Sequence, residues 1–134
     1  MITISTNKAD LNIDTIANYS SNESYWANGR SKEIVQESIE NSLCFGVYLD
    51  SCQIGFARVV TDYTVSAWMM NVFVLPEQQG NSYGKVLIGE IKRHPKLNSV
   101  TRRGLNTLDA HELYKQFGFT ELKDPSMHME LNCK

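Results

Sequence analysis

Hydrophobic positions along this chain change period several times, and each change marks an element. Ile2–Ser5 (ITIS) suits a short first strand. Ile13, Ile16 and Ala17 then recur at helical spacing, which predicts a helix over Asp10–Tyr19. Asn18–Arg30 (NYSSNESYWANGR) is polar and aromatic and reads as a loop or a broken helix. Ser31 follows as an N-cap, with Glu33 in the first turn, where the helix dipole favours an acid. Ile34, Val35 and Ile39 form the expected inward face of a helix running to about Asn41. Leu43–Leu49 and Ile54–Thr61 are β-rich runs joined by Asp50-Ser51-Cys52-Gln53, a hairpin. Val65–Leu75 comes next, and both of its alternating faces are apolar: Trp68, Met70, Val72 and Val74 on one, Met69, Phe73 and Leu75 on the other. Such a strand is expected to be internal and covered on both sides.

The second half is patterned differently. Val72–Val86 (VFVLPEQQGNSYGKV) runs from strand through Pro76 into a glycine-containing polar loop, and an amphipathic helix begins inside that loop. Tyr83, Val86, Leu87 and Ile91 give this helix its stripe, and His94-Pro95 ends it. Val100–Thr107 is expected as a further strand, weakened by Arg102, Arg103 and Gly104. Asp109 and Glu112 have the spacing of a capping box, and Ala110, Leu113, Tyr114 and Phe117 share one helix face before Gly118 stops it. Phe119–Leu122 and Met127–Leu131 are expected to close the chain as strands. The order β-α-α-β-β-β-α-β-α-β-β describes an α+β fold: a mixed, mostly antiparallel sheet with helices on both faces.

Composition narrows the function. The 134 residues make one domain, 1–134, large enough to bury a core without metal or disulfide. A formal net charge of −2 with no dense Lys/Arg patch gives no footprint for nucleic acid. No apolar run approaches the ~20 residues that span a bilayer, and the N-terminus lacks the basic-then-apolar pattern of a secretory signal. Cys44, Cys52 and Cys133 are widely spaced and offer no metal-ligand spacing, so we expect free thiols in a reducing cytoplasm and no metal.

A strand that turns through glycines into a helix N-terminus gathers free N–H groups and the positive dipole end at one spot, which suits a pyrophosphate. Two nucleotide loops are excluded. Gly80 and Gly84 are one residue too close for a Walker loop and Val86 lacks its hydroxyl, while no G-x-G-x-x-G with a following acid is present. Gln79-Gly80-Asn81-Ser82-Tyr83-Gly84 instead resembles the Q/R-x-x-G-x-G/A loop of the GCN5-related N-acetyltransferases. Ala110–Phe119 (AHELYKQFGF) is similar to that family's second landmark, a helix ending in L-Y-x-x-x-G-F. The resemblance covers the chain from about Leu43 onward. Tyr25–Arg30, Phe56–Asp62 and Thr107–Tyr114 further resemble a branch of small, single-domain bacterial acetyltransferases of undefined substrate.

The resemblance implies the acyl-CoA N-acyltransferase fold, with acetyl-CoA as acyl donor in a V-shaped gap beside the central strand. Phe73 and Val74 would lie along the pantetheine, and Gln79, Gly80, Asn81, Ser82, Tyr83, Gly84 and Lys85 would hold the pyrophosphate. Lys85 is equally a solvated first-turn lysine. Ser82 replaces the middle glycine of the loop. At positive φ it would be strained; in the right-handed region it would cap the helix and offer its hydroxyl to phosphate, and the second conformation is the expected one. Asn71 stands where relatives often place an acid on the central strand, and it cannot act as a base. Thr107 takes the place of an asparagine that touches the cofactor in many relatives, and His111 either lines the cofactor channel or faces solvent.

Tyr114 is the implied catalytic residue, positioned near the acyl-CoA sulfur. A phenol with a pKa near ~10 can hand a proton to a thiolate whose acid has a pKa of ~8.5. By periodicity alone it would be a core tyrosine. Tyr25, Trp26, Arg30, Arg58 and Trp68 are the candidates for the acceptor side, with Tyr25 and Trp26 equally suited to packing under a loop. Arg58, a charge among Ile54, Phe56 and Val60, is either a paired core arginine or a carboxylate anchor. Asp62 and Glu23 could deprotonate an ammonium through water. The implied reaction moves an acetyl group to a primary amine of a small molecule or peptide. The alternative is a non-catalytic acyl-CoA-binding or regulatory module. A homodimer through sheet edges or terminal strands accords with family habit.

Overall fold

The computed structural model describes residues 1–22 and 30–133. Five strands form one sheet in the order β1-β2-β3-β4-β5. β1 (Ile2–Ser5), β2 (Leu43–Leu49), β3 (Cys52–Thr61) and β4 (Ser66–Val74) are antiparallel neighbours, and β5 (Arg102–Leu105) joins β4 in parallel. The β2–β3 hairpin closes on a two-residue turn: Leu49 pairs with Cys52, and Asp50 and Ser51 adopt φ of 51° and 70°. Positive φ at both central residues matches the twist of the strands they join.

Helices cover both faces, as the element order implies. On one face Phe45, Val47, Val59 and Met69 pack with Leu87, Ile88 and Ile91 of α3 (Tyr83–Arg93). On the other, Cys44, Phe56 and Phe73 pack with Ile16 and Ala17 of α1 (Ile13–Asn22) and with Val35 and Ile39 of α2 (Lys32–Glu40). Ser31 caps α2, its Oγ accepting the Ile34 N–H at 3.2 Å, a contact of about 1 kcal/mol. Two expected core residues face solvent. Ile34 and Val86 are exposed because the buried stripes are Val35/Ile39 and Leu87/Ile88/Ile91, each one step further round its helix.

β4 does not keep its two expected faces. Asn71 sits at φ 56°, and the register with β3 shifts between Phe56 and Arg58. This bulge reverses the alternation, so Met69 enters the α3 core while Phe73, four residues on, enters the α1/α2 core.

The C-terminal third also departs from its pattern. α4 is short, His111–Lys115, and Asp109 does not cap it; Thr107 Oγ1 accepts the Ala110 N–H at 3.0 Å instead. Gly118, at φ 94°, ends the turn as its position suggests, and Phe119 N–H returns to the Tyr114 carbonyl at 3.2 Å. The strands expected at Phe119–Leu122 and Met127–Leu131 are not formed. Thr120–Cys133 is an exposed, irregular arm with a tight turn at Pro125–Met127. Alternation alone does not make a strand: the backbone needs a ladder partner, and none meets this arm within the described residues.

Candidate active site

The parallel pairing of β4 with β5 runs from Ser66↔Arg102 to Met69↔Leu105 and stops, while β4 continues to Val74. The chain leaving Leu105 diverges toward α4. Between them opens a cleft of about 930 Å³, walled by β4 from Trp68 to Val74, by Gln78–Gly80 and Ser82–Lys85 at the start of α3, and by Leu105–Ala110, Leu113 and Tyr114. Among the described residues, the last stretch of β4 is therefore without a sheet neighbour on the side that faces the cleft.

The loop is held from behind. Gln79 Nε2 donates to the Val74 carbonyl at 2.8 Å, and Asn81 Nδ2 donates to the Gln78 carbonyl at 3.2 Å. Val86 N–H bonds the Ser82 carbonyl at 3.2 Å, so the N–H groups of Tyr83, Gly84 and Lys85 precede the first helical hydrogen bond and have no carbonyl four residues back in the helix. A β-carbon added to Gly80 or Gly84 would meet nothing within 4 Å beyond the adjoining backbone. Ser82 corrects the expectation: it lies in the left-handed region, at φ 65° and ψ 16°, and its hydroxyl does not cap α3. The local reason is the reversal that the loop must make to present the helix end, a turn that a glycine would make without Cβ strain.

Phe73, Val74, Gln79, Gly80, Ser82, Tyr83, Gly84, Lys85, Thr107 and Tyr114 all border this one cleft, and so do Arg30 and Trp68. Asn81 stays within the loop. His111 is exposed and borders a second groove on the far side of α4. Tyr114 is buried, edge-on to Phe119 at 5.8 Å between ring centroids. Glu23, Tyr25 and Trp26 lie outside the described residues. Asp62 is remote in role: its carboxylate accepts the N–H groups of Thr64, Val65 and Ser66 at 2.8–3.1 Å in the β3–β4 turn.

Arg58 is a core arginine and not part of the cleft wall. It is only 8% exposed, and its guanidinium donates through Nε to Asn71 Oδ1 at 2.8 Å, through Nη1 to Ser42 Oγ at 3.1 Å and through Nη2 to Met70 Sδ at 3.4 Å. These acceptors are neutral. Burial lowers its pKa, and the Arg30 cation acts in the same direction. Arg58 thus fixes the oxygen side of the Asn71 amide, and Asn71 itself borders the cleft. In the sequence Asn71 stands out only as a missing acid. The signal that it bends β4 is its tolerance of positive φ, which a strand pattern does not advertise. Tyr19, stacked on Phe73 at 4.1 Å, is a further cleft residue that carries no motif. Burial pushes the Cys44 thiol up to about 11, far from a reactive setting.

Residues 40–121 match the family model of the acetyltransferase (GNAT) domain, and the chain belongs to this family. It is 39% identical to a Xanthomonas campestris pv. campestris protein assigned to the GNAT family and solved by crystallography. That superposition covers 98% of this chain and 93% of that one, with a TM-score of 0.96. It is 26% identical to a Gibberella zeae protein assigned to the acetyltransferases, over 90% of this chain and 80% of that one. A Clostridium acetobutylicum protein crystallised with acetyl-CoA shares the fold at 15% identity and a TM-score of 0.70, over 98% of this chain and 96% of that one. Acyl transfer from acetyl-CoA to an acceptor is the general chemistry of the family. The cleft suits such a donor on its own terms: helix N–H groups for a diphosphate, room beside two glycines, and an unpaired strand edge for an amide-bearing arm. No helix among the described residues is long and apolar enough to cross a membrane.

Proposed function

We propose that this chain transfers the acetyl group of acetyl-CoA to a primary amine of a small molecule or peptide by direct attack, acting as one domain over 1–134 in the cytoplasm and associating with a second copy. The observation that carries the reading is Tyr114: a buried phenol on the wall of the same cleft that presents the N-terminus of α3. Gly80–Lys85 hold the diphosphate through backbone N–H groups, and Phe73 and Val74 lend β4 backbone groups to the pantetheine. Thr107, its oxygen already accepting from Ala110, keeps its own O–H to donate toward the cofactor. A β4 backbone N–H polarises the thioester carbonyl as the neutral amine closes on it, and Tyr114 gives its proton to the departing sulfur. Arg30, Trp68 and the Asn71 amide offer the acceptor its contacts.

The test is CoA thiol release from acetyl-CoA across amines, amino acids, aminoglycosides and peptides. Tyr114→Phe is expected to lower kcat by about 10²-fold, the low end for a general acid, while acetyl-CoA affinity by calorimetry stays within about twofold (~0.4 kcal/mol). Unchanged turnover would remove Tyr114 from the acid role. The strain at Ser82 is the observation favouring a binding-only module, which predicts thermal stabilisation by acetyl-CoA and no thiol release with any acceptor.

A further inference from the structure

A cation as buried as Arg58, 8% exposed, ordinarily has an anion beside it. Among the described residues it has none, because its three hydrogen bonds go to an amide, a hydroxyl and a thioether. Each link of this network has a fixed direction. The Ser42 hydroxyl commits its own proton to the Ser38 carbonyl at 2.7 Å, so toward Arg58 it can only accept. A guanidinium donates and never accepts, so the Asn71 amide must turn its oxygen to Nε and its NH2 group away.

That NH2 group has no acceptor among the described residues, and it is not enclosed in the core. Asn71 is half-buried and borders the cleft. The bulge puts it there: Phe56 pairs with Phe73 and Arg58 with Met70, so Asn71 and Val72 together oppose Ala57. A cation on the amide oxygen draws electron density from the nitrogen and strengthens its N–H groups as donors. Such a group attracts an anion and repels an ammonium. Arg30 borders the same cleft, and its charge acts in the same sense as that of Arg58. Asp109, a carboxylate of the lining, belongs to the other wall, Leu105–Ala110. One amide donor backed by a screened cation suits a singly charged group. A phosphate dianion would call for the guanidinium itself in contact.

On the reading that this cleft transfers acetyl groups, we infer that the acceptor amine carries a carboxylate, which docks on Asn71 Nδ2. Arg58 is then a positioning residue that aims and polarises the amide. The acceptor class is an amino acid or another aminocarboxylate, and not a plain or polycationic amine.

Acceptors matched except in charge test this: β-alanine, γ-aminobutyrate and α-amino acids against their primary amides, followed by thiol release. Comparing each acid-to-amide ratio between parent and variant cancels differences in amine basicity. Asn71→Asp tolerates the positive φ and keeps an oxygen on Arg58, but replaces the donor by an anion. It is expected to fold with an undiminished melting temperature. Its kcat/KM for the acids relative to the amides should fall by about tenfold or more, mainly through KM, as for a lost hydrogen bond to a charged group. Arg58→Lys loosens the grip on the amide oxygen and should reduce the acid preference part-way, a change that lost packing would not confine to one class of acceptor. Acetyl transfer with no preference for acids, or a preference that survives Asn71→Asp, overturns the inference and leaves the transfer reading standing. If no acceptor releases thiol, the transfer reading fails, and calorimetry of the same acids on the CoA-bound chain decides the anion site. Binding weakened by Asn71→Asp then upholds it; no binding, or binding indifferent to Asn71→Asp, overturns it.

Discussion

Ser82 is the residue where the chain departs most from the expected local geometry. A side chain in the left-handed region costs about 1 kcal/mol or more, because Cβ crowds the following carbonyl. Nothing in the loop offsets this, since its hydroxyl does not cap α3. Ser82→Gly is therefore expected to raise the unfolding free energy by roughly 0.5–1 kcal/mol, once the extra freedom of glycine in the unfolded chain is subtracted. Ser82→Val should lower it by more. Urea unfolding of the three proteins tests the order, and a Ser82→Gly variant less stable than the parent would place the serine's value elsewhere. Asn71 is the opposite case. It too has positive φ, but Arg58 holds its side chain and the turn it makes is the bulge that splits β4 between two cores. Residue type alone does not separate the two, because both conformations answer to neighbours distant in sequence.

Among the elements, the β3–β4 turn carries its own electrostatics. Three backbone N–H groups on one carboxylate hold the Asp62 pKa down at about 2. An unfolded aspartate titrates near ~3.9. The folded pKa is the lower one, so the contribution of this turn is complete above that range and is lost as pH falls toward about 2. Asp62→Asn keeps an acceptor oxygen and loses the titration, so its stability should fall less steeply between those pH values than that of the parent. Parallel acid-unfolding curves would exclude the turn as a source of acid sensitivity. Elements whose partners are close in sequence were legible: the Asp50-Ser51 hairpin, the Ser31 cap and the stop at Gly118 each follow from a few adjacent residues. The strand-loop-helix of Val72–Val86 and the L-Y-x-x-x-G-F helix end led to the cleft for the same reason. The terminal strands were not legible, because a strand exists only with its neighbour, and Met127–Leu131 has no ladder neighbour among the described residues. Tyr19 and Asn71 were equally hidden, since they meet at the cleft only through the bulge and the packing of α1 on the sheet, whereas Arg30 and Trp68, which also border it, stood among the sequence candidates.

At the scale of the whole molecule, the two cavities lie on either side of the short β4–β5 pairing. That pairing is narrow, ending at Met69↔Leu105, and Trp68 faces Gly104 across it. The indole lies so close over Gly104 that a β-carbon there would overlap its ring. Trp68 consequently forms part of the wall of both the cleft and the groove. The sequence contains two tryptophans, Trp26 and Trp68, so Trp26→Phe leaves one fluorophore on the partition between the two chambers. Its emission maximum is expected to move when acetyl-CoA fills the cleft. A maximum that ignores acetyl-CoA would mean that the indole does not sense what fills the cleft it borders. One side chain is thereby a built-in optical gauge, reading the occupancy of the cleft from inside its wall.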